Sequence, residues 1–89
     1  MFKPENRPQR TQVASFVVRD QSEKDQLAFE EITFEERGYP QPPAVIRVTY
    51  SLADGTPLQT SVFASVFVDP ASGSRYTQRS AKRPIGPKP

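Results

Sequence analysis

Residues 44–69 read AVIRVTYSLADGTPLQTSVFASVFVD, and how this stretch turns back on itself decides the fold. Ala53 and Asp54 suit the centre of a type I turn, and Gly55 suits the left-handed position that closes a three-residue hairpin loop. That loop sets Leu52 opposite Thr56, Tyr50 opposite Leu58 and Ile46 opposite Val62. One face then gathers Ala44, Ile46, Val48, Tyr50 and Leu52 with Leu58, Val62, Ala64, Val66 and Val68. Turn chemistry and period-two alternation select the same register. The other face is mostly polar (Arg47, Thr49, Ser51, Gln59, Ser61, Ser65) but carries Val45, Phe63 and Phe67, a candidate partner-binding corner. An aromatic ring alternating with serine also suits a base-stacking platform, although Arg47 is almost its only cation.

Upstream, residues 11–20 (TQVASFVVRD) read as a strand rich in β-branched side chains. Residues 22–38 (SEKDQLAFEEITFEERG) admit two readings. Ser22, Glu23 and Asp25 before an apolar run, with Arg37 and Gly38 behind it, imitate a capped helix at about 22–37. On a helix, however, Leu27, Ala28, Phe29, Ile32 and Phe34 scatter around the axis. As a strand bulged at Glu30–Glu31, Leu27, Phe29, Ile32 and Phe34 share one side, and packing favours this reading. The prolines of GYPQPP (38–43) demand a loop, DPASGS (69–74) is a turn, and Arg75 to Gln78 can add a short edge strand. The expectation is an all-β chain: a small antiparallel meander of four or five strands, as a sandwich or open barrel, with α+β as the alternative.

Charge divides the chain differently. Of 89 residues with net charge +2, residues 1–10 carry +2, residues 11–69 carry −5 and residues 70–89 carry +5. Prolines 4 and 8 lie in front, and prolines 70, 84, 87 and 89 lie behind. Proline without apolar periodicity favours extended chain. A β domain over 11–78 with basic arms at 1–10 and 79–89 is therefore expected. The arms offer Lys3, Arg7, Arg10, Arg75, Arg79, Lys82, Arg83 and Lys88 to an acidic partner. With no periodic apolar surface in residues 79–89, their removal is expected to leave the melting temperature nearly unchanged.

The chemistry available is narrow. There is no cysteine and no histidine, which removes disulfides, thiol nucleophiles, sulfur or imidazole metal sites and histidine acid–base schemes. Glu30, Glu31, Glu35 and Glu36 are the only carboxylate cluster, and they read most simply as a solvated face. No phosphate-cradling glycine loop is present. The sequence thus argues against an enzyme and implies no catalytic residue, metal or cofactor. The residues MFKPENRPQR hold no apolar stretch for a signal peptide, and no window approaches a membrane span. A cytoplasmic or particle-associated protein is expected. Its leading role is a structural or accessory protein docking on a large protein or nucleoprotein assembly, such as a virion or ribonucleoprotein particle. A single-stranded nucleic-acid-binding protein using the arms is the alternative, and an inhibitor presenting the acidic 30–36 face a weaker one.

Overall fold

A computed structural model describes residues 7–88, and within them the chain is all-β. Seven strands follow in order: β1 (Gln9–Arg19), β2 (Asp25–Glu35), β3 (Ala44–Leu52), β4 (Pro57–Thr60), β5 (Val66–Val68), β6 (Arg75–Gln78) and β7 (Arg83–Pro87). Each of the first five is antiparallel to the next, and β6 returns to pair with β1 at Val18 and Arg19. Six strands therefore close an up-and-down barrel, which leaves no sheet edge where closure is complete. β7 is the extra strand, lying along β1 from Gln12 to Ser15 beyond the end of β6.

The strand lengths set the shape. β1 and β2 each have 11 residues and β3 has 9, whereas β4, β5 and β6 have 3 or 4. The short strands can wall in only one end of the long ones. The other end of β1, β2 and β3 projects past the barrel as an open sheet with β7 on its flank, giving a body of 50 × 23 × 22 Å.

The core sits in the closed end. Phe16, Val18, Ala28, Leu52, Leu58, Phe67 and Tyr76 are buried, with Tyr50 packed against them. The rings of Phe16, Phe67 and Tyr50 form its centre, Phe67 lying 5.3 Å from Phe16 and 4.9 Å from Tyr50, within the usual range for interacting aromatic pairs. Ala28 faces Phe16 on one side and Leu52 on the other.

The hairpin at Leu52–Thr56 forms as its sequence dictates. Gly55 takes φ +93°, its N–H donates to the Leu52 carbonyl at 2.9 Å, and the Leu52 N–H donates to the Thr56 carbonyl at 2.8 Å. Tyr50 then faces Leu58 as expected. The register does not continue to Ile46 and Val62. β4 ends at Thr60, and Ser61 starts a tight turn in which its hydroxyl accepts the Phe63 N–H at 3.0 Å. Val62 is consequently 95% exposed, and Phe67, expected on the outer face, is 2% exposed in the core. Across the turn Thr60 pairs with Phe67, which puts Phe67 on the same side as Thr60 and Leu58 and reverses the inward set of β5 relative to a continued alternation.

Two further expectations change. Residues 25–35 form one strand with no helix, and β2 runs in unbroken register against β1. There is no bulge at Glu30–Glu31; the extra residue lies on β3 at Ile46, between the pairs Thr33–Arg47 and Phe34–Val45. Ala28, Glu30, Ile32 and Phe34 consequently share the inward side, while Leu27 faces out. Ser22 caps no helix: the Asp20 carboxylate organises the β1–β2 turn by accepting the Ser22 and Lys24 N–H groups at 2.8 and 3.0 Å. Finally, Arg75–Gln78 closes the barrel instead of forming an edge, and much of the expected 79–89 arm is the paired strand β7.

Candidate functional site

The basic termini and the acidic body meet within the chain. Lys82, in the link between β6 and β7, places its Nζ 3.1 Å from Glu30 at the mouth of the barrel. The same ammonium lies 5.6 Å from the Tyr50 ring centre and 5.9 Å from that of Phe16, a cation–π arrangement over the core aromatics. Glu30 is buried, and Lys82 reaches it from the exposed link. Burial first, then hydrogen bonding and the negative charge of Glu30, push the Tyr50 phenol up to about 12.

Further along, Lys88 meets Glu31 at 2.8 Å, Arg7 meets Glu35 at 3.1 Å, and Arg37 reaches the same carboxylate at 3.6 Å. Arg10 approaches Glu36 at 3.6 Å and lies over the Phe34 ring at 5.5 Å. The acidic run is therefore not a free solvated face: each of its four carboxylates has a cation from a distant or flanking segment. That neutralisation does not favour an acidic decoy surface. Among the described residues no cluster of three or more acidic side chains could hold a metal ion.

β7 is held by main chain as well as charge. The Arg79 N–H donates to the Val17 carbonyl at 2.8 Å and the Lys88 N–H to the Thr11 carbonyl at 2.8 Å. Between β6 and β7 the edge of β1 would be left bare, and there the Ser80 hydroxyl accepts the Val17 N–H at 2.8 Å. Sequence reasoning missed the role of Ser80 and the Glu30–Lys82 contact, since nothing in local periodicity links residues 52 positions apart.

The eight arm residues thus divide. Lys3 lies outside the described residues. Arg7, Arg10, Lys82 and Lys88 are ion-paired, whereas Arg75, Arg79 and Arg83 are exposed with no ion pair among the described residues. The expected corner of Val45, Phe63 and Phe67 does not form, because Phe67 turns inward and β4 leaves β3 before Phe63 can oppose Val45. Val45 and Phe63 are exposed, on separate surfaces.

The first surface is the open half of β3. Ala44–Thr49 has β2 on one side and no strand on the other among the described residues. It exposes Val45, Ile46 and Val48 to 56%, 40% and 43%. Val48 opposes Ile32 and Val45 opposes Phe34, which extends the apolar side beyond the barrel mouth. The reverse side is polar and tied down, with Thr11 and Thr33 hydroxyls 2.9 Å apart. The second surface is the β4–β5 turn, which presents Val62 and Phe63 beside a groove of about 400 Å³ on the barrel's outer wall.

Compared with models of known protein families, with curated proteins and with solved structures, the chain matches none. Among the described residues no helix is long and apolar enough to cross a membrane.

The barrel mouth predicts an alkaline response. A phenol whose folded pKa is raised favours the fold fully below the unfolded value of about 10 and loses that contribution as pH climbs from there towards about 12. Urea midpoints measured from pH 9 to 12 should fall through this window, and Tyr50→Phe should flatten part of the fall. An unchanged profile in Tyr50→Phe would mean the phenol is not held neutral by its surroundings.

Proposed function

We propose that the protein is a structural component, not a catalyst, that docks on a larger protein or nucleoprotein assembly through the open half of β3. The supporting observation is the unequal treatment of the two flanks of the projecting sheet. β7 carries Pro84 and Pro87, which supply no backbone donor and blunt a strand edge. β3 has no proline from Ala44 to Leu52 and exposes three β-branched apolar residues beside its unpaired half. Such an edge suits an extended partner segment that adds a strand, with apolar side chains continuing the Val45–Val48 side. An apolar patch at an unpaired edge is an association site when a partner covers it and an aggregation liability when none does.

The test is sedimentation of source-cell extracts containing the tagged full chain or its Val45→Ser/Val48→Ser variant. The wild type should travel with a fast-sedimenting particle. The variant should remain in the slow fraction with an unchanged circular dichroism spectrum, since exposed substitutions usually alter stability by about 0.5 kcal/mol or less. Wild type found wholly in the slow fraction, or a variant that still sediments, would overturn the proposal.

A further inference from the structure

We infer that the outer wall of the barrel, along β6, the 79–82 link and the start of β7, is a binding surface for single-stranded nucleic acid. This wall is separate from the open half of β3, and the inference stands or falls apart from that docking reading.

Register places the three unpaired arginines of the C-terminal segment on this wall. Phe67 and Tyr76 pair with each other and point inward, so Arg75, opposite Val68, points outward. Phe16 and Val18 also point inward, which leaves Ser15 and Val17 facing out. Arg83 is opposite Ser15, and Arg79 hydrogen-bonds to Val17 through its main chain. Thr77, opposite Arg19, lies between Arg75 and Arg79. At the usual rise of a strand, the row from Arg75 to Arg83 covers about 20 Å. Arg79 and Arg83 stand about 7 Å apart along β1, a spacing comparable to that between successive phosphates of an extended strand.

The sorting of cations adds a second argument. Both lysines of this segment, Lys82 and Lys88, are spent on Glu30 and Glu31, whereas its three cations without an ion pair among the described residues are arginines. The guanidinium fork matches phosphate oxygens two at a time and also stacks on planar groups. On the outward side of the neighbouring β2, Asp25 is held by Arg19 at 2.9 Å and Glu31 by Lys88 at 2.8 Å.

A third argument is the groove next to the row. Phe63, 67% exposed, borders it with Val62, Val66 and Val68, and Ser61, Arg75 and Thr77 complete its lining. A positive track beside an exposed ring is the pairing that single-strand binders use, phosphates on the cations and bases on the aromatic face. An acidic protein would use the arginines and have no need of the ring. A duplex, with its bases stacked inside, would likewise leave Phe63 unused.

The test is fluorescence anisotropy of the full chain with a labelled 12-nucleotide oligothymidine, the matching duplex and a poly-glutamate peptide. Oligothymidine should bind best, with log K falling by about 0.7 per contacted phosphate for each decade of salt, hence by about 2 for three contacts. Arg79→Gln/Arg83→Gln should weaken binding at least tenfold and cut the slope to about 0.7, the single remaining contact. Phe63→Ser should weaken binding severalfold with the slope unchanged. These residues are exposed, so circular dichroism should show all variants folded. No binding at low salt, poly-glutamate or duplex binding as well as the oligonucleotide, or indifference to Phe63→Ser would each overturn the inference.

Discussion

Phe67→Ala should cost about 3–5 kcal/mol, the usual loss for truncating a buried phenylalanine, and should leave the chain largely unfolded at physiological temperature. Phe67 is fully enclosed between Phe16 and Tyr50, and the ring is a large part of a seven-residue core. A domain of this size has a small margin, since native stabilities run about 5–15 kcal/mol. Val62→Asp provides the contrast. In a continued hairpin it would bury a charge, yet at 95% exposure it should change stability by about 0.5 kcal/mol or less. Val48→Asp should be intermediate, because the valine lies on the inward side but beyond the barrel. Urea melts of the three variants check the order, and equal damage from Phe67→Ala and Val62→Asp would mean that β5 has the opposite register.

Deleting residues 79–89 should lower the melting temperature by at least about 10 °C. The deletion removes β7, the Ser80 hydroxyl that satisfies Val17, and the cations facing Glu30 and Glu31. A buried polar group left without its partner costs about 1–3 kcal/mol and a charged one more, and each kcal/mol moves the midpoint of such a small domain by about 4–8 °C. Lys82→Met alone should reproduce part of the loss, and Glu30→Gln combined with Lys82→Met should recover some of it. Calorimetry checks all three. A midpoint unchanged by the deletion would restore the reading of a free arm.

The parts of the fold written in local chemistry were legible. Asp54–Gly55 dictates its turn, and alternation from Tyr50 to Leu58 sets the barrel's central hairpin. The reading failed where a distant residue changed the meaning of a local one. Glu30 looks like a surface residue until Lys82 arrives to neutralise it, and assigning it to solvent forced a bulge that does not exist. Val62 and Phe63 continue an apolar alternation on paper; Ser61, by bonding to the Phe63 main chain, diverts them into a turn. The basic tail has no apolar period because it is held by backbone hydrogen bonds and ion pairs, which leave no such signature. The charge partition was correctly seen, but most of its complementarity is satisfied within the chain. What is left over in the described part of the C-terminal segment, the three arginines of the outer wall, could be separated from the rest only by knowing which cations had found partners.

The central claim is that the basic C-terminal segment belongs to the sheet. Native-state amide hydrogen exchange at Arg79 and Lys88 tests it most directly, since their N–H groups are donated to Val17 and Thr11 of β1. Both should be protected at a level approaching that of neighbouring β1 amides: opening Lys88 requires β7 to leave β1, whereas Arg79 directly follows β6 and opens with the closure of the barrel. Exchange of Lys88 at the unprotected rate, with Arg79 and the Phe16 and Val18 region still protected, would show a closed barrel trailing a free arm and would contradict the account.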